Sequence, residues 1–247
     1  MLLLHANNAS AWTGPTGNNT YLLPGRVPAL VDAGVGDTAH LDRIASALAG
    51  RSLARVLLTH GHPDHVGGLP AIAARWPSAR VIRFADGADV VEAGDTRLRV
   101  VHTPGHAPDH LCFFDEDSGD LYCGDLIRAG GSIVIPASKG GNLRQYLDSL
   151  VRARELSPRR LLPGHGPVID DPFPVIDEYL RHRAQREEEV IAGLRAGLMT
   201  PEQIVTQVYG ALPSPLAAAA ADSVLAHLVK LHDEQRAFVS DDGWRMS

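Results

Sequence analysis

The chain has 247 residues, of which 45% are hydrophobic and 21% charged, and its formal net charge is −6. This length and composition allow a large domain with a buried core, so folding requires neither a structural metal nor disulfides. The negative charge argues against a general affinity for nucleic acid, although it is compatible with a local basic groove.

The first 25 residues contain no Lys, Arg, Asp or Glu. Their only apolar run, residues 2–4, is too short for the hydrophobic segment of a signal peptide and follows no basic segment. No later stretch approaches the roughly 18 apolar residues of a membrane span. We therefore expect a cytoplasmic protein without membrane contact.

Strand-like runs alternate with helical patterns through the first two-thirds of the chain. The predicted strands are NTYLL, PALVDAG, ARVLLTH, RVIRF, LRVVHTPG, HLCFFDE, DLYCGD and RRLLPGHG, each bounded by Gly, Pro, Asp or Asn. Helices are predicted at residues 38–49, 67–75 and 141–156. The interleaving predicts a layered α/β domain. Cys112 and Cys123 lie in apolar runs, which favours packed thiols over a disulfide.

The pattern changes near residue 172. A long amphipathic helix is predicted over DPFPVIDEYLRHRAQREEEVIAGLRAG, and a second helix is capped by Thr200. The third helix carries an apolar stripe formed by Leu216, Val224, Leu228 and Leu231. A hairpin with its turn at Asp242 and Gly243 follows. Together these elements predict a small winged-helix-like module, and we place the domain division at residues 1–172 and 173–247.

Metal-ligating residue types recur at the ends of successive predicted strands. The segment THGHPDHVGG supplies His60, His62, Asp64 and His65, and later strand ends supply His106, Asp125 and His165. Core packing does not explain such a cluster, because histidine and aspartate are rarely buried without partners. Layered α/β proteins place their sites at strand ends. We therefore expect these side chains to converge on one site.

The donor set predicts the kind of metal centre. Imidazole and carboxylate groups suit zinc, manganese or iron. A structural zinc site would usually be rich in cysteine, and no cysteine lies in these motifs. We therefore expect a catalytic pair of divalent ions, with zinc first and manganese or iron left open.

This pattern resembles the metallo-β-lactamase superfamily, whose His-x-His-x-Asp-His signature matches residues 60–65. The resemblance covers about residues 15–170 and implies an αβ/βα sandwich with the site at one edge. By this resemblance, the ligands of one ion are His60, His62 and His106, those of the second are Asp64, His65 and His165, and Asp125 bridges both.

The resemblance also implies a hydrolase. Two ions about 3.5–4 Å apart share a hydroxide and thereby supply a nucleophile at neutral pH. Asp64 and Asp125 would be the catalytic carboxylates, the first orienting the metal-bridging hydroxide and the second holding the ions together. His110 and Lys139 are predicted either to support the ligands or to contact substrate. No role is predicted for the remaining histidines, which we expect at the surface or on helix faces: His5, His40, His102, His182, His227 and His232.

Several branches of the superfamily fit less well. Flavodiiron reductases carry a glutamate where His62 stands. Antibiotic-degrading members are exported and do not use the strand-end aspartate as a bridge. RNA-processing members with a large cap insert it before the last histidine, but only 40 positions separate Asp125 from His165.

The whole chain is similar to the beta-lactamase-like protein 2 group, through TPGHAPDHLCFF, YCGDLI, LPGHGPVI, YLRHRAQREEEV and the winged-helix-like tail. The eukaryotic member is a zinc-dependent endoribonuclease, so the resemblance implies a phosphodiesterase acting on single-stranded RNA. A positive track for RNA could be formed by Arg152, Arg154, Arg159, Arg160, Arg181, Arg183, Arg186 and Lys139. The alternative for each arginine is a solvated helix face with acidic neighbours.

Two other functions stay open. A glyoxalase II-like thioesterase, or another ester or lactone hydrolase, would use the same two-metal site on a small molecule. A DNA-binding regulator would use the winged-helix-like tail, but its third helix is alanine-rich and has Lys230 as its basic residue. We expect the tail instead to pack on the catalytic domain, line the cleft or support a homodimer.

Overall fold

The computed structural model describes residues 1–247 and contains two five-stranded sheets. Neighbouring strands of the first sheet are, in order, β1 (Leu2–His5), β2 (Asn19–Leu23), β3 (Ala29–Val31), β4 (Arg55–Leu57) and β5 (Arg80–Ile82). Those of the second are β6 (Val90–Ala93), β7 (Thr96–His102), β8 (Leu111–Asp115), β9 (Asp120–Gly124) and β10 (Arg160–Pro163). Strands β3, β4 and β5 are parallel, as are β9 and β10, and the other pairs are antiparallel.

Helices cover the outer face of each sheet. The helices of the first two-thirds are α1 (Thr38–Leu48), α2 (Pro63–Val66), α3 (Leu69–Arg75) and α4 (Leu143–Glu155), and α5 (Pro172–Arg195) follows. Ile44 of α1 and Ile72 of α3 pack against the first sheet, while Tyr146 of α4 packs against the second. A third cluster, which includes Tyr21 and Phe113, fills the space between the sheets. The expected αβ/βα sandwich is confirmed.

The parallel strand pairs position the candidate site. Because the carboxyl ends of parallel strands meet at the same edge of a sheet, residues after β3 and β4 lie together, as do residues after β9 and β10. An isolated bridge between Asn18 and His165 then joins the two sheets at this edge. The strand ends of both sheets therefore face one region.

The C-terminal elements are α6 (Pro201–Tyr209), α7 (Ser214–Asp233), β11 (Ala237–Ser240) and β12 (Gly243–Met246). The side chain of Thr200 accepts a hydrogen bond from the Gln203 N–H, as its predicted capping role requires. Ile204 and Leu228 pack with the second half of α5 in a separate cluster, whereas Ile176 in the first half of α5 packs on the catalytic core. Helix α5 thus contributes residues to both hydrophobic cores. The predicted domain division between residues 172 and 173 stays a prediction.

Some sequence-based expectations were wrong in detail. Strands β1 and β6 were not predicted, because each is a four-residue edge strand with too few residues for a clear period. The hairpin turn lies at residues 241 and 242, since Ser240 pairs with Gly243. Leu216 was predicted on the apolar face of α7 but is 44% exposed, because the first turn of α7 extends beyond the buried cluster.

Two histidines expected at the surface or on helix faces are buried. His40 lies with its Nε2 atom 2.8 Å from the Thr20 hydroxyl, and burial lowers the pKa of this imidazole to about 4. His227 is enclosed between α5 and α7, and burial likewise lowers its pKa. The prediction for the thiols is confirmed, because Cys112 and Cys123 are buried and free.

No single helix has the length and hydropathy needed to cross a membrane. Helices α6 and α7 meet the length and hydropathy requirement only when they are taken together, and the angle between them is 113°.

Candidate metal centre

A short helix organises the His-x-His-x-Asp-His segment. His62 is extended, with φ −68° and ψ 147°, and Pro63 begins α2 immediately after it. Proline suits this first helical position because its fixed φ matches the helix and its missing N–H is not needed there. The change from extended to helical backbone at Pro63 separates His60 and His62 from Asp64 and His65.

The first group consists of three imidazoles. The Nδ1 atom of His62 lies 3.0 Å from His60 Nε2 and 2.9 Å from His106 Nε2. All three ring nitrogens therefore converge on one point at the strand-end edge. This arrangement suits three nitrogen ligands of a divalent ion.

The second group consists of Asp64, His65 and His165. The Oδ2 atom of Asp64 lies 3.6 Å from His65 Nε2 and 3.4 Å from His165 Nε2. Asn18 donates a hydrogen bond of 3.0 Å to the same Asp64 oxygen, which fixes the carboxylate at the edge of the cluster.

Asp125 lies between the two groups. Its Oδ2 atom is 3.6 Å from His106 Nε2, and its Oδ1 atom is 3.5 Å from His65 Nε2 and 3.3 Å from His165 Nε2. Oδ1 is buried without a hydrogen-bond partner. A buried anionic oxygen without a donor is costly unless a cation accompanies it, so these residues fit a pair of divalent ions with Asp125 between them.

Neighbouring groups set which nitrogen faces the site in three of the imidazoles, His60, His65 and His106. His106 donates through Nδ1 to the Val134 carbonyl at 2.8 Å, and His65 donates through Nδ1 to Asp32 at 2.8 Å. The Nδ1 atom of His60 lies 3.0 Å from the Thr59 hydroxyl, which itself donates to Asp32. Each Nε2 atom is thereby left as an acceptor, which is the state that metal ligation requires.

The charges of the cluster depend on one another. Burial opposes ionisation of Asp125, but the adjacent His65 and His165 outweigh it and hold the pKa of this carboxyl well below its usual range. Burial also opposes protonation of His165, yet the adjacent carboxylates of Asp125 and Asp64 raise its pKa to about 9. The same carboxylates that raise the pKa of this imidazole would favour any cation bound beside them.

His110 and Lys139 have different positions. His110 is fully buried, and its Nε2 atom accepts a hydrogen bond of 3.2 Å from the Asp125 backbone N–H. Its Nδ1 atom lies 2.8 Å from the Thr103 hydroxyl. The burial of the ring and its bond to the Asp125 backbone favour the supporting role predicted for His110 over contact with substrate. Lys139 is exposed at the mouth of a cleft that reaches His62 and Asp64.

Sequence reasoning missed the residues that support the ligands. Asp32 is 2% exposed and accepts hydrogen bonds from the Thr59 N–H, the Thr59 hydroxyl and His65. It follows β3 in VDAG, so the strand-end rule that selected Asp125 would also have found it. Asn18 and Thr59 carry no comparable signal, because single Asn and Thr residues are common in loops.

Gly164 gives a test of the geometry. A Cβ atom at this position would lie 2.7 Å from Asp125 Oδ1 and 2.7 Å from His65 Cε1. We expect Gly164→Ala to lose at least one of the two ions, measured as metal per chain by elemental analysis. Gly131→Ala is the matched control, because its nearest neighbour would be 3.7 Å away. Full metal content in Gly164→Ala would contradict the proposed position of the ions.

Two cavities meet over this cluster. The first, which we call the apolar cavity, has a volume of about 440 Å³, and Asp64 and Asp125 are among its lining residues. Its walls include Trp12, Ile133, Leu216, Ala219 and Ala220. The second, the polar cleft, has a volume of about 950 Å³ and is lined by Ser138, Lys139, Glu202 and Asp222 among others. Trp12 and Ala219 border both.

Helix α7 forms a wall of both cavities because it is fixed above the site. Asp222 accepts hydrogen bonds of 2.8 Å from the Ser138 N–H and 2.9 Å from its hydroxyl. The Ser223 hydroxyl accepts a further bond of 3.4 Å from the Ile135 N–H. The C-terminal module therefore lines the cleft.

The chain is similar to one family of proteins over most of its length. Residues 13–83 and 77–165 match the family model of the metallo-beta-lactamase superfamily, and residues 200–244 match the beta-lactamase associated winged helix domain. It is 35% identical to lactamase-like protein aptB of Emericella nidulans, over 89% of this chain and 77% of that protein. It is 34% identical to a beta-lactamase-like protein 2 homolog of Drosophila melanogaster, over 94% and 88%.

A third relative has a named activity. The atrochrysone carboxyl ACP thioesterase of Aspergillus chevalieri is 31% identical, over 89% of this chain and 77% of that protein. Among solved structures, metallo-beta-lactamase family protein TTHA1429 of Thermus thermophilus superposes with a TM-score of 0.78 at 24% identity, covering 100% of this chain and 98% of that chain. A di-iron-bound form of TTHA1623 has a TM-score of 0.53 at 25% identity, over 69% and 94%.

Proposed function

The chain belongs to the metallo-beta-lactamase superfamily and is a hydrolase of that superfamily, and from this premise we propose that it hydrolyses a thioester or ester of an apolar carboxylic acid. The apolar cavity carries this proposal. Leu216, Ala219 and Ala220 of α7, together with Trp12 and Ile133, line an apolar space that the candidate ligands Asp64 and Asp125 also line. Pockets of this composition suit small organic groups. The thioesterase named among the relatives supports the same substrate class.

The basic residues support an RNA substrate less strongly than the sequence suggested. Each of the following arginines is paired with a carboxylate: Arg154 with Asp177, Arg160 with Asp120, Arg181 with Glu178 and Arg186 with Glu189. Arg183, expected on an exposed track, is 4% exposed and donates to the Ile133 carbonyl. Neutralised or buried guanidinium groups contribute little to phosphate binding, which depends on free positive charge.

DNA recognition also loses support. The alanine-rich part of α7 lines the two cavities, so it is turned toward the catalytic domain. Lys230, the basic residue of this helix, is paired with Glu187 at 2.7 Å and Glu234 at 2.9 Å. A recognition helix requires a free face with several cations.

The bound ions and the carboxylates of the centre would have different roles in hydrolysis. Two divalent ions bound here, whether zinc, manganese or iron, would supply Lewis acidity and lower the pKa of water toward ~7. Water adds to the carbonyl carbon, the bond from that carbon to sulfur or oxygen breaks, and the leaving thiolate or alkoxide takes up a proton. The Asp64 side chain is 30% exposed and that of Asp125 12%, so Asp64 is the more accessible of the two carboxylates and would orient the attacking water.

The proposal predicts an acyl-length preference that Ala220 controls. Metal-loaded protein should release thiol from an octanoyl thioester faster than from an acetyl thioester, because the longer chain fills the apolar cavity. Ala220→Leu should lower kcat/KM for the octanoyl substrate about 10- to 100-fold, since extra methyl groups overfill the space. Ala218→Leu is the matched control on the same helix, because Ala218 faces the polar cleft instead. Absence of thiol release by wild-type protein would overturn the proposal.

Single-stranded RNA stays the second candidate. Its support is the similarity to beta-lactamase-like protein 2 homologs together with Trp12, a 47%-exposed aromatic residue at the border of both cavities. Trp12 lines the polar cleft together with Lys139, and an exposed aromatic ring can stack a base. Cleavage of an end-labelled unstructured RNA by metal-loaded wild-type protein, and not by Asp125→Asn, would favour this candidate. An intact RNA would remove it.

A further inference from the structure

Arg128 is a cation in the wall of the apolar cavity. It lies four residues after β9, and its backbone is fixed on both sides by one hydroxyl. The Arg128 N–H donates to Tyr179 at 3.1 Å, and the same Tyr179 hydroxyl donates to the Arg128 carbonyl at 2.9 Å. The position of this arginine is therefore set by α5 and does not depend on a ligand.

The guanidinium has unused hydrogen-bonding capacity. An arginine offers five N–H donors, and within the protein this side chain uses only Nη1, which donates to the Trp12 carbonyl at 3.2 Å. Its Nε atom is buried without a partner. Arg128 forms none of the ion pairs of the chain, unlike Arg160 and Arg186, which are each held by a carboxylate.

The surroundings favour an anion at this position. The carboxylates that line the apolar cavity are Asp64 and Asp125, and both belong to the candidate metal centre. Arg128 shares the lining of this cavity with the apolar side chains of Ile133, Leu212 and Leu216. A cation beside apolar surface is poorly solvated, so a complementary negative charge gains more there than it would in water.

We propose that Arg128 binds a carboxylate carried by the acyl part of the substrate, so that the enzyme prefers acyl groups with an apolar chain and a distal acid. This inference rests on the proposed thioester or ester hydrolysis. The planar guanidinium matches a carboxylate through two parallel hydrogen bonds. The substrate then spans the cavity, with its scissile carbonyl at the metal centre and its acid at Arg128.

Matched substrates test this inference. Octanoyl and suberyl thioesters of the same uncharged thiol have acyl chains of equal length, and only the second ends in a carboxylate. We expect wild-type protein to prefer the suberyl thioester about 10- to 100-fold in kcat/KM, as charged hydrogen bonds imply. Arg128→Gln should bring this ratio close to 1. Arg128→Lys should keep part of the preference, because the charge remains while the planar fork is lost.

The controls separate a contact at Arg128 from a general charge effect and from a loss of folding. Arg181→Gln removes an arginine whose side chain is 70% exposed on α5, and it should keep the wild-type ratio. Thermal unfolding and metal content of the Arg128 variants should match wild type, which excludes a folding effect on the ratio. A ratio that changes with Lys139→Gln instead of Arg128→Gln would place the anion in the polar cleft and overturn the inference. Hydrolysis of both thioesters at equal rates by wild type would overturn it while the proposed function stands, and hydrolysis of neither would overturn both.

Discussion

Asp125→Asn is expected to lower kcat/KM for the octanoyl thioester on the order of 1000-fold and to reduce the bound metal. The two oxygens of Asp125 face different ligand groups, with Oδ2 toward His106 and Oδ1 toward His65 and His165. Asparagine has nearly the same shape, but its amide nitrogen cannot replace a ligating oxygen. One group therefore loses its shared ligand and the negative charge of the centre falls.

A second buried aspartate, at the start of the strand that Asp125 follows, provides the control. Asp120 lies at the opposite end of β9, is 5% exposed and pairs with Arg160 at 2.6 Å. Asp120→Asn should lower thermal stability while leaving metal content and activity close to wild type. If Asp125→Asn retains two ions per chain and activity within about 10-fold of wild type, the assignment of Asp125 between the two ions is wrong.

Asp32→Asn is expected to weaken metal binding about 10- to 100-fold, because Asp32 selects the tautomer of His65. The carboxylate accepts hydrogen bonds from Thr59 and from His65 Nδ1. With asparagine, one position next to these donors becomes an NH₂ group, and a donor then faces His65 Nδ1. The imidazole proton moves to Nε2, which is the atom that must ligate.

This prediction separates metal affinity from folding. Activity of Asp32→Asn should recover in part at high metal concentration, since the ligands themselves are intact. We would titrate metal into the metal-free protein and follow both binding and thiol release, with Asp120→Asn as the control for loss of a buried carboxylate. Equal affinity in wild type and Asp32→Asn would show that the tautomer of His65 does not depend on Asp32.

The sequence predicted the layered fold because its signals are local. Each strand is a short apolar run, and several are followed within a few residues by a histidine or an aspartate, such as Asp125 after YCG or His165 after LPG. The strands can be recognised from their own residues, and residues that follow strands are expected at one edge of the sheet. The convergence of histidine and aspartate at that edge can therefore be predicted without knowing how the sheets pack. The edge strand β6 was not predicted, because four residues are too few to establish an alternating pattern.

The sequence by itself thus determined the layered α/β class, which its family resemblance narrowed to the αβ/βα sandwich, the winged-helix-like tail and the residues that converge at the strand ends. Their roles as ligands stay predictions. Only the tertiary structure decided the walls of the cavity, where Trp12 near one end of the chain meets Ala219 near the other. It also decided that Arg183 is buried while Arg128 keeps free donors. The physical reason is that burial and pairing of a charged side chain depend on which distant segments pack around it, and no local pattern in the sequence carries that information.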